Sequence, residues 1–245
     1  MTVHFIGAGP GAADLLTLRA VTLMGSARVC LYAGTYITAE VLAHCAAGAE
    51  LIDTQHLDLD GIIGHLTRAH AAGHDVARLC SGDPSLYSAL AEQTRRLDAI
   101  GVPWDVTPGV PAYAAAAAVL GRELTAPELS QTVILTRTQA RSTKMPDTEA
   151  LPVLARSHAT IVLHLAITRI RQVVADLVPE YGTDAPVAVV ANASAASEVV
   201  LRGTLSDISD QVEAAGLRQA AVIIVGKTLG AMDFVDSHLY APRAR

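Results

Sequence analysis

Aromatic side chains are scarce, 4% of 245 residues, which argues against a β-sandwich core and against a base-stacking surface. Basic clusters are lacking too. No run of five or more lysines and arginines occurs, and the formal charge of −6 speaks against a nucleic-acid partner. There are three cysteines; Cys30, Cys45 and Cys80 show no metal-ligand spacing and cannot all pair with one another. They read as reduced thiols, and the expected compartment is the cytoplasm. No apolar run reaches the length of a membrane span, and the small-residue stretch 112–120 covers one short helix. Met1-Thr2-Val3-His4-Phe5-Ile6-Gly7 reaches a glycine turn before a signal peptide's cationic and apolar regions can form. G-x-S-x-G and H-E-x-x-H are absent, so neither a nucleophile elbow nor a zincin helix is expected. His70 and His74 are spaced i,i+4, as zinc ligands can be, and His65 lies close by. No acid or cysteine completes a set, so they read as surface histidines and no metal site is expected.

What is present is aliphatic: 51% of the chain is hydrophobic, a balance that suits helices packed on a sheet. Short apolar strands alternate with amphipathic stretches along residues 1–121. Strands are expected over 3–6, 28–32, 50–53, from 75 onward and over 103–107. Helices are expected from near 14 through 23, then over 37–42, 60–72, 88–99 and 112–120. That recurrence predicts one mostly parallel sheet. Residues 122–130 contain Pro127 and read as a linker. Beyond them, 131–240 reads as a second α/β domain with strands over 131–136, 160–165, 186–192 and 220–225, a hairpin-like strand over 198–205, and helices over 148–156, 169–177 and 206–215.

The most informative stretch is Leu79-Cys80-Ser81-Gly82-Asp83-Pro84-Ser85-Leu86-Tyr87, a strand-to-helix turn. In an open α/β sheet such turns lie at the carboxyl ends of the strands, where ligands bind. Gly82 lets a ligand approach the backbone, and Asp83 can accept hydrogen bonds from a ribose hydroxyl or an amine. Read alone, the same residues also describe a tight turn with a capping aspartate. Gly7-Ala8-Gly9-Pro10-Gly11, with Ala12, fits a relaxed G-x-G-x-x-G/A pattern. Pro10 removes one phosphate-binding amide, and the next strand ends in Tyr32-Ala33-Gly34 with no acid for a ribose, which tells against a dinucleotide site. Gly226-Lys227-Thr228 resembles the end of a Walker A loop, but Ala221 and the strand before it leave no phosphate loop. The loop 137–147 holds the densest positive charge, with Arg137, Arg141 and Lys144. It is either a solvated flap or the rim that meets an anionic substrate.

Three ordered motifs carry a resemblance. The run from Val3 to Ala20 around Gly7-Ala8-Gly9-Pro10-Gly11, then Ser81-Gly82-Asp83-Pro84, then Pro108-Gly109-Val110-Pro111-Ala112, resembles the tetrapyrrole methylase family over nearly the whole chain. Leu31-Tyr32-Ala33-Gly34, Gly82-Asp83-Pro84-Ser85-Leu86-Tyr87 and Ser130-Gln131-Thr132-Val133-Ile134-Leu135-Thr136-Arg137 are similar to its precorrin-methylating branch. The uroporphyrinogen branch carries an acid after its strand-end tyrosine, and this chain has Ala33.

The resemblance implies two α/β domains, a mostly parallel N-terminal sheet and a mixed C-terminal sheet, with a trough between them. It implies S-adenosylmethionine bound there and leaving as S-adenosylhomocysteine, a tetrapyrrole substrate and a homodimer. Carried over by position, Pro10, Ser81, Gly82, Asp83, Leu86, Pro111, Ala112, Leu165 and Ala193 match family cofactor contacts, Leu165 and Ala193 standing where close relatives have Met and Gly. A tetrapyrrole carries many carboxylates, so Arg137, Arg141, Lys144, Arg122 and Arg169 are the candidates to bind it. A methyl sulfonium is already electrophilic, so no nucleophilic serine or activated cysteine is required, and no catalytic side chain is assigned.

Overall fold

Every residue of strand β4 (Val76–Cys80) is buried, and alternation along it sends Val76 and Cys80 to one face and Ala77 and Leu79 to the other. A strand buried on both faces needs helices on both, as parallel sheets do. The computed structural model, which describes residues 1–139 and 143–237, supplies them. The chain divides into two compact units, Met1–Ala115 and Ala116–Arg245.

In the first unit β1 (Val3–Gly7), β2 (Val29–Tyr32), β3 (Glu50–Asp53), β4 and β5 (Trp104–Thr107) form one sheet in the order β3-β2-β4-β1-β5. All its pairings are parallel. Helices α1 (Leu18–Ser26) and α2 (Ala39–Leu42) cover one face through Ala20, Met24 and Val41. On the other face α3 (Leu59–Ala71) and α4 (Leu90–Ala99) contribute Leu66, Ala69 and Leu97 around Phe5 and Leu31. Leu66 and Leu97 are fully buried, each burial contributing about 1.5–3 kcal/mol. Parallel pairing puts every strand's carboxyl end on one edge. Because β4, β1 and β5 are neighbours, the three turns that carry the motifs leave that edge side by side.

Several helices start later than the sequence expectation, and two of these starts bear on the motif turns. Residues Ala13–Leu15 form a single 3₁₀ turn, and α1 begins only after Thr17, whose hydroxyl accepts from the amide of Ala20 at 3.1 Å. The glycine turn after β1 therefore opens no long helix, and its amides are not arranged for a pyrophosphate on a helix end. Helix α4 starts at Leu90 because Tyr87 and Ala89 take left-handed backbone, φ 53° and 55°, which interrupts the helical path. Helix α5 (Ala112–Leu120) follows β5.

The second unit is built on a mixed sheet in the order β6-β7-β10-β8-β9. Its strands are β6 (Val133–Arg137), β7 (Thr160–His164), β8 (Pro186–Ala191), β9 (Val199–Thr204) and β10 (Ala221–Val225). Strands β6 and β7 pair in parallel, and the other three pairings are antiparallel, β8 and β9 forming the expected hairpin. Helices α6 (Leu151–Ala155), α7 (Ile170–Tyr181) and α8 (Ile208–Ala214) pack on it through Leu151, Ile170, Val173, Leu177, Ile208 and Val212.

Candidate functional site

The turns after β1, β4 and β5 are bound to one another by main chain. Gly9 and Gly82 exchange amide-to-carbonyl hydrogen bonds, at 2.7 and 3.2 Å, and Ala8 donates to the carbonyl of Cys80 at 2.8 Å. Gly7, Gly82 and Gly109 meet where the turns touch. A Cβ built on Gly109 would lie 2.3 Å from the Gly82 carbonyl oxygen and 2.7 Å from the Gly7 Cα, while one on Gly7 would lie 2.3 Å from the Gly109 amide nitrogen. Only glycine permits so close a backbone approach. A Cβ on Gly82 would come to 3.5 Å from the Pro111 Cα and the Ala112 nitrogen, so α5 begins against the same turn.

Asp83 ties this group together. Its Oδ2 accepts from the amide of Gly109 at 2.8 Å, and its Oδ1 accepts from the amide of Ser85 at 2.8 Å and from the Ser85 hydroxyl. Burial pushes this carboxyl up, but the Ser85 hydroxyl and the amides of Gly109 and Ser85 together hold it below its ordinary value. The carboxylate suggested by the sequence for a ligand hydroxyl or amine is thus engaged by the chain's own donors. Of the expected cofactor contacts, Pro10, Ser81, Gly82, Asp83, Leu86, Pro111 and Ala112 all fall on these three turns. Ser81 is exposed, Pro10, Leu86, Pro111 and Ala112 are half-buried, and the amide of Leu86 donates to the Asp83 carbonyl at 3.3 Å.

Leu165 and Ala193 belong to the second unit. Since β6, β7 and β8 run in one direction there, Arg137, Leu165 and Ala193 leave the sheet at the same edge, where β10 begins. Leu165, Asn192, Ser194 and Ala220, none of them glycine, have φ of 52°, 49°, 70° and 52° at that edge. Left-handed backbone of this kind costs about 1–3 kcal/mol per residue and collects at functional sites. Leu165 is 60% exposed and Ala193 is buried.

Among the expected substrate cations, Arg137 and Arg169 converge on one loop. Arg137 donates to the carbonyl of Thr143 at 2.9 Å, and Arg169 to that of Gln139. Lys144 is exposed and pairs with Asp147 at 3.4 Å. Arg122 donates to the carbonyl of Ala231 at 3.1 Å. Arg141 lies outside the described residues. His164, which the sequence reading did not single out, closes β7 opposite Arg137 in the register, and burial pushes its pKa down. The signal for it is a titratable residue ending an otherwise apolar strand. The three thiols are free, with Cys30 and Cys80 buried and Cys45 half-buried, and no metal-binding cluster occurs among the described residues.

Residues 2–209 match the model of the family described as Tetrapyrrole (Corrin/Porphyrin) Methylases. The chain is 57% identical over 241 residues to the precorrin-4 C(11)-methyltransferase of Rhodococcus erythropolis, covering 98% of this chain and 97% of that protein. The X-ray structure of cobalt precorrin-4 methyltransferase, a cobalamin biosynthetic enzyme, superposes with a TM-score of 0.90 at 36% identity, covering 94% of this chain and 96% of that one. The uroporphyrin-III C-methyl transferase of Thermus thermophilus, solved in complex with S-adenosylhomocysteine, is similar at a TM-score of 0.78 and 28% identity, covering 94% of this chain and 99% of that one.

Proposed function

Because the chain belongs to the tetrapyrrole (corrin/porphyrin) methylases, we propose that it methylates carbon 11 of precorrin-4 in corrin synthesis. S-adenosylmethionine is the methyl donor in this reading, and S-adenosylhomocysteine the product. The near-complete overlap with the Rhodococcus relative carries it.

The residues present suit such a donor. Ser81, Gly82, Pro111 and Ala112 offer main chain with little side chain over it, which a flat adenosyl group needs, and the contacts among Gly7, Gly82 and Gly109 hold that surface in one shape. The donor brings an electrophilic methyl on a sulfonium sulfur, so displacement by a ring carbon asks the protein chiefly for alignment, which can lower the barrier by about 7–11 kcal/mol. Asp83 supplies part of that alignment by keeping the turns after β4 and β5 in register. Arg137 and Arg169, with Arg141, Lys144 and Arg122, provide cations for the carboxylates of the macrocycle.

The protein works as a homodimer in the cytoplasm, without nucleic acid or membrane. Likeness to the family supports the dimer, the acidic balance speaks against a nucleic-acid partner, and the free cysteines suit a reducing compartment; among the described residues no helix is long and apolar enough to cross a membrane. The deciding assay is transfer of a radiolabelled methyl group to a panel of precorrins. Label at carbon 11 of precorrin-4, with one S-adenosylhomocysteine formed per methyl, is expected. Label on another ring carbon, on RNA or on protein, or on nothing, would replace this reading.

A further inference from the structure

Arg78 is the one charged residue in β4, and it is only 7% exposed. Among the described residues no carboxylate pairs with it. Its Nε donates to Gln93 Oε1 at 3.0 Å and its Nη1 to the carbonyl of Leu79 at 3.2 Å. Gln93, on α4, is 1% exposed. Because its oxygen must face the Arg78 donor, its amide nitrogen is forced to point the other way. There Nε2 donates to the carbonyls of Ala89 at 3.1 Å and Ser88 at 3.4 Å. Those carbonyls lie beside the left-handed residues Tyr87 and Ala89, and the Ser88 hydroxyl donates back to the carbonyl of Pro84. A buried two-residue relay therefore runs from the sheet to the back of the turn that carries Ser81, Gly82, Asp83 and Leu86.

We propose that Gln93, oriented by Arg78, is a positioning residue that holds the 81–89 turn in its strained, donor-binding shape. Asp83 fastens this turn to the one after β5, and Gln93 fastens its far end to the sheet. The inference rests on the reading that this turn binds the methyl donor, but the relay itself does not require any ligand.

The two residues can be changed so that fold and positioning respond differently. In Gln93→Glu one carboxylate oxygen still accepts from Arg78 and gains an ion pair, while the other replaces a donor and faces two carbonyl oxygens. In Arg78→Met the buried charge and its desolvation cost are removed, but the Gln93 oxygen and the Leu79 carbonyl each lose a donor, and the Gln93 amide loses its orientation. Both variants are expected to fold, with melting temperatures lowered on the order of 5–10 °C by the buried hydrogen bonds they lose. Their calorimetric dissociation constants for S-adenosylhomocysteine are expected to rise about ten-fold or more for Gln93→Glu, and by a smaller factor for Arg78→Met. In the ligand-free protein the amides of Ser85 and Leu86 are expected to exchange with deuterium at least about ten-fold faster in both variants, since local opening sets that rate.

Folded variants with wild-type exchange at Ser85 and Leu86 would overturn the relay, and so would an affinity loss that merely tracks a fall in melting temperature. If Gln93→Glu fails to fold, Arg78→Met decides by the same two measurements. If the wild type itself does not bind S-adenosylhomocysteine, the donor reading falls, and the exchange rates alone still decide whether Gln93 holds the turn.

Discussion

Replacing Asp83 by asparagine tests how firmly the turns after β4 and β5 are bound together. The carboxylate accepts from the amides of Gly109 and Ser85, each at 2.8 Å, and from the Ser85 hydroxyl. Asparagine retains one acceptor oxygen. It can serve Ser85 or Gly109 but not both, and its amide nitrogen then faces a donor. Hydrogen bonds to charged groups contribute about 1.5–3 kcal/mol, and the lower end applies because the side chain is partly solvated. A loss of about 2 kcal/mol follows, with a fall in melting temperature on the order of 5–10 °C for a unit of this size. The pH dependence follows from the depressed pKa of this carboxyl. A group whose folded pKa is lowered stabilises fully above its unfolded value, and that contribution is lost as the pH falls through the folded value. The stability gap between wild type and Asp83→Asn should therefore be constant from neutrality down to about pH 5 and close below about pH 4. Urea unfolding across that range reads it directly. A gap under about 0.5 kcal/mol at neutral pH, or one that widens in acid, would refute the role assigned to the carboxylate.

Gly109→Ala forces a Cβ to within 2.3 Å of the Gly82 carbonyl oxygen and should cost about 3 kcal/mol or more, visible as a lowered urea midpoint. Gly64→Ala is its control: it lies within α3 with nothing within 4 Å of the added carbon, and should stabilise by about 0.5–1 kcal/mol. Arg137→Ala should raise KM for the tetrapyrrole by about ten-fold while S-adenosylhomocysteine affinity stays within about two-fold. The reverse pattern in the same steady-state and calorimetric measurements would move the macrocycle elsewhere.

Much of the element pattern was legible in the sequence because period and composition report which face of a segment is buried. The apolar run of β4, the amphipathic α3 and the β8–β9 hairpin all follow from residue type. Helix starts were less legible: α1 waits for the Thr17 cap, and α4 for the end of left-handed backbone at Ala89. A single side-chain hydrogen bond or one backbone dihedral decides such boundaries. The glycines at 7, 82 and 109 could be read as turn formers. That they touch one another could not, because the contact joins Gly7 to a position 102 residues further along the chain.

What belongs to the sequence alone is the α/β class, the family motifs and the side chains available for chemistry, since each is a property of residue type and local spacing. What the tertiary structure decided is adjacency. The order β3-β2-β4-β1-β5 brings three distant turns to one edge. There Asp83 is engaged by Gly109 and Ser85, and Arg78 and Gln93 reach the back of the same turn. Local pattern encodes which way a side chain faces, whereas strand order arises from pairing between remote segments, and only that pairing says which neighbours a carboxylate or a buried arginine will meet.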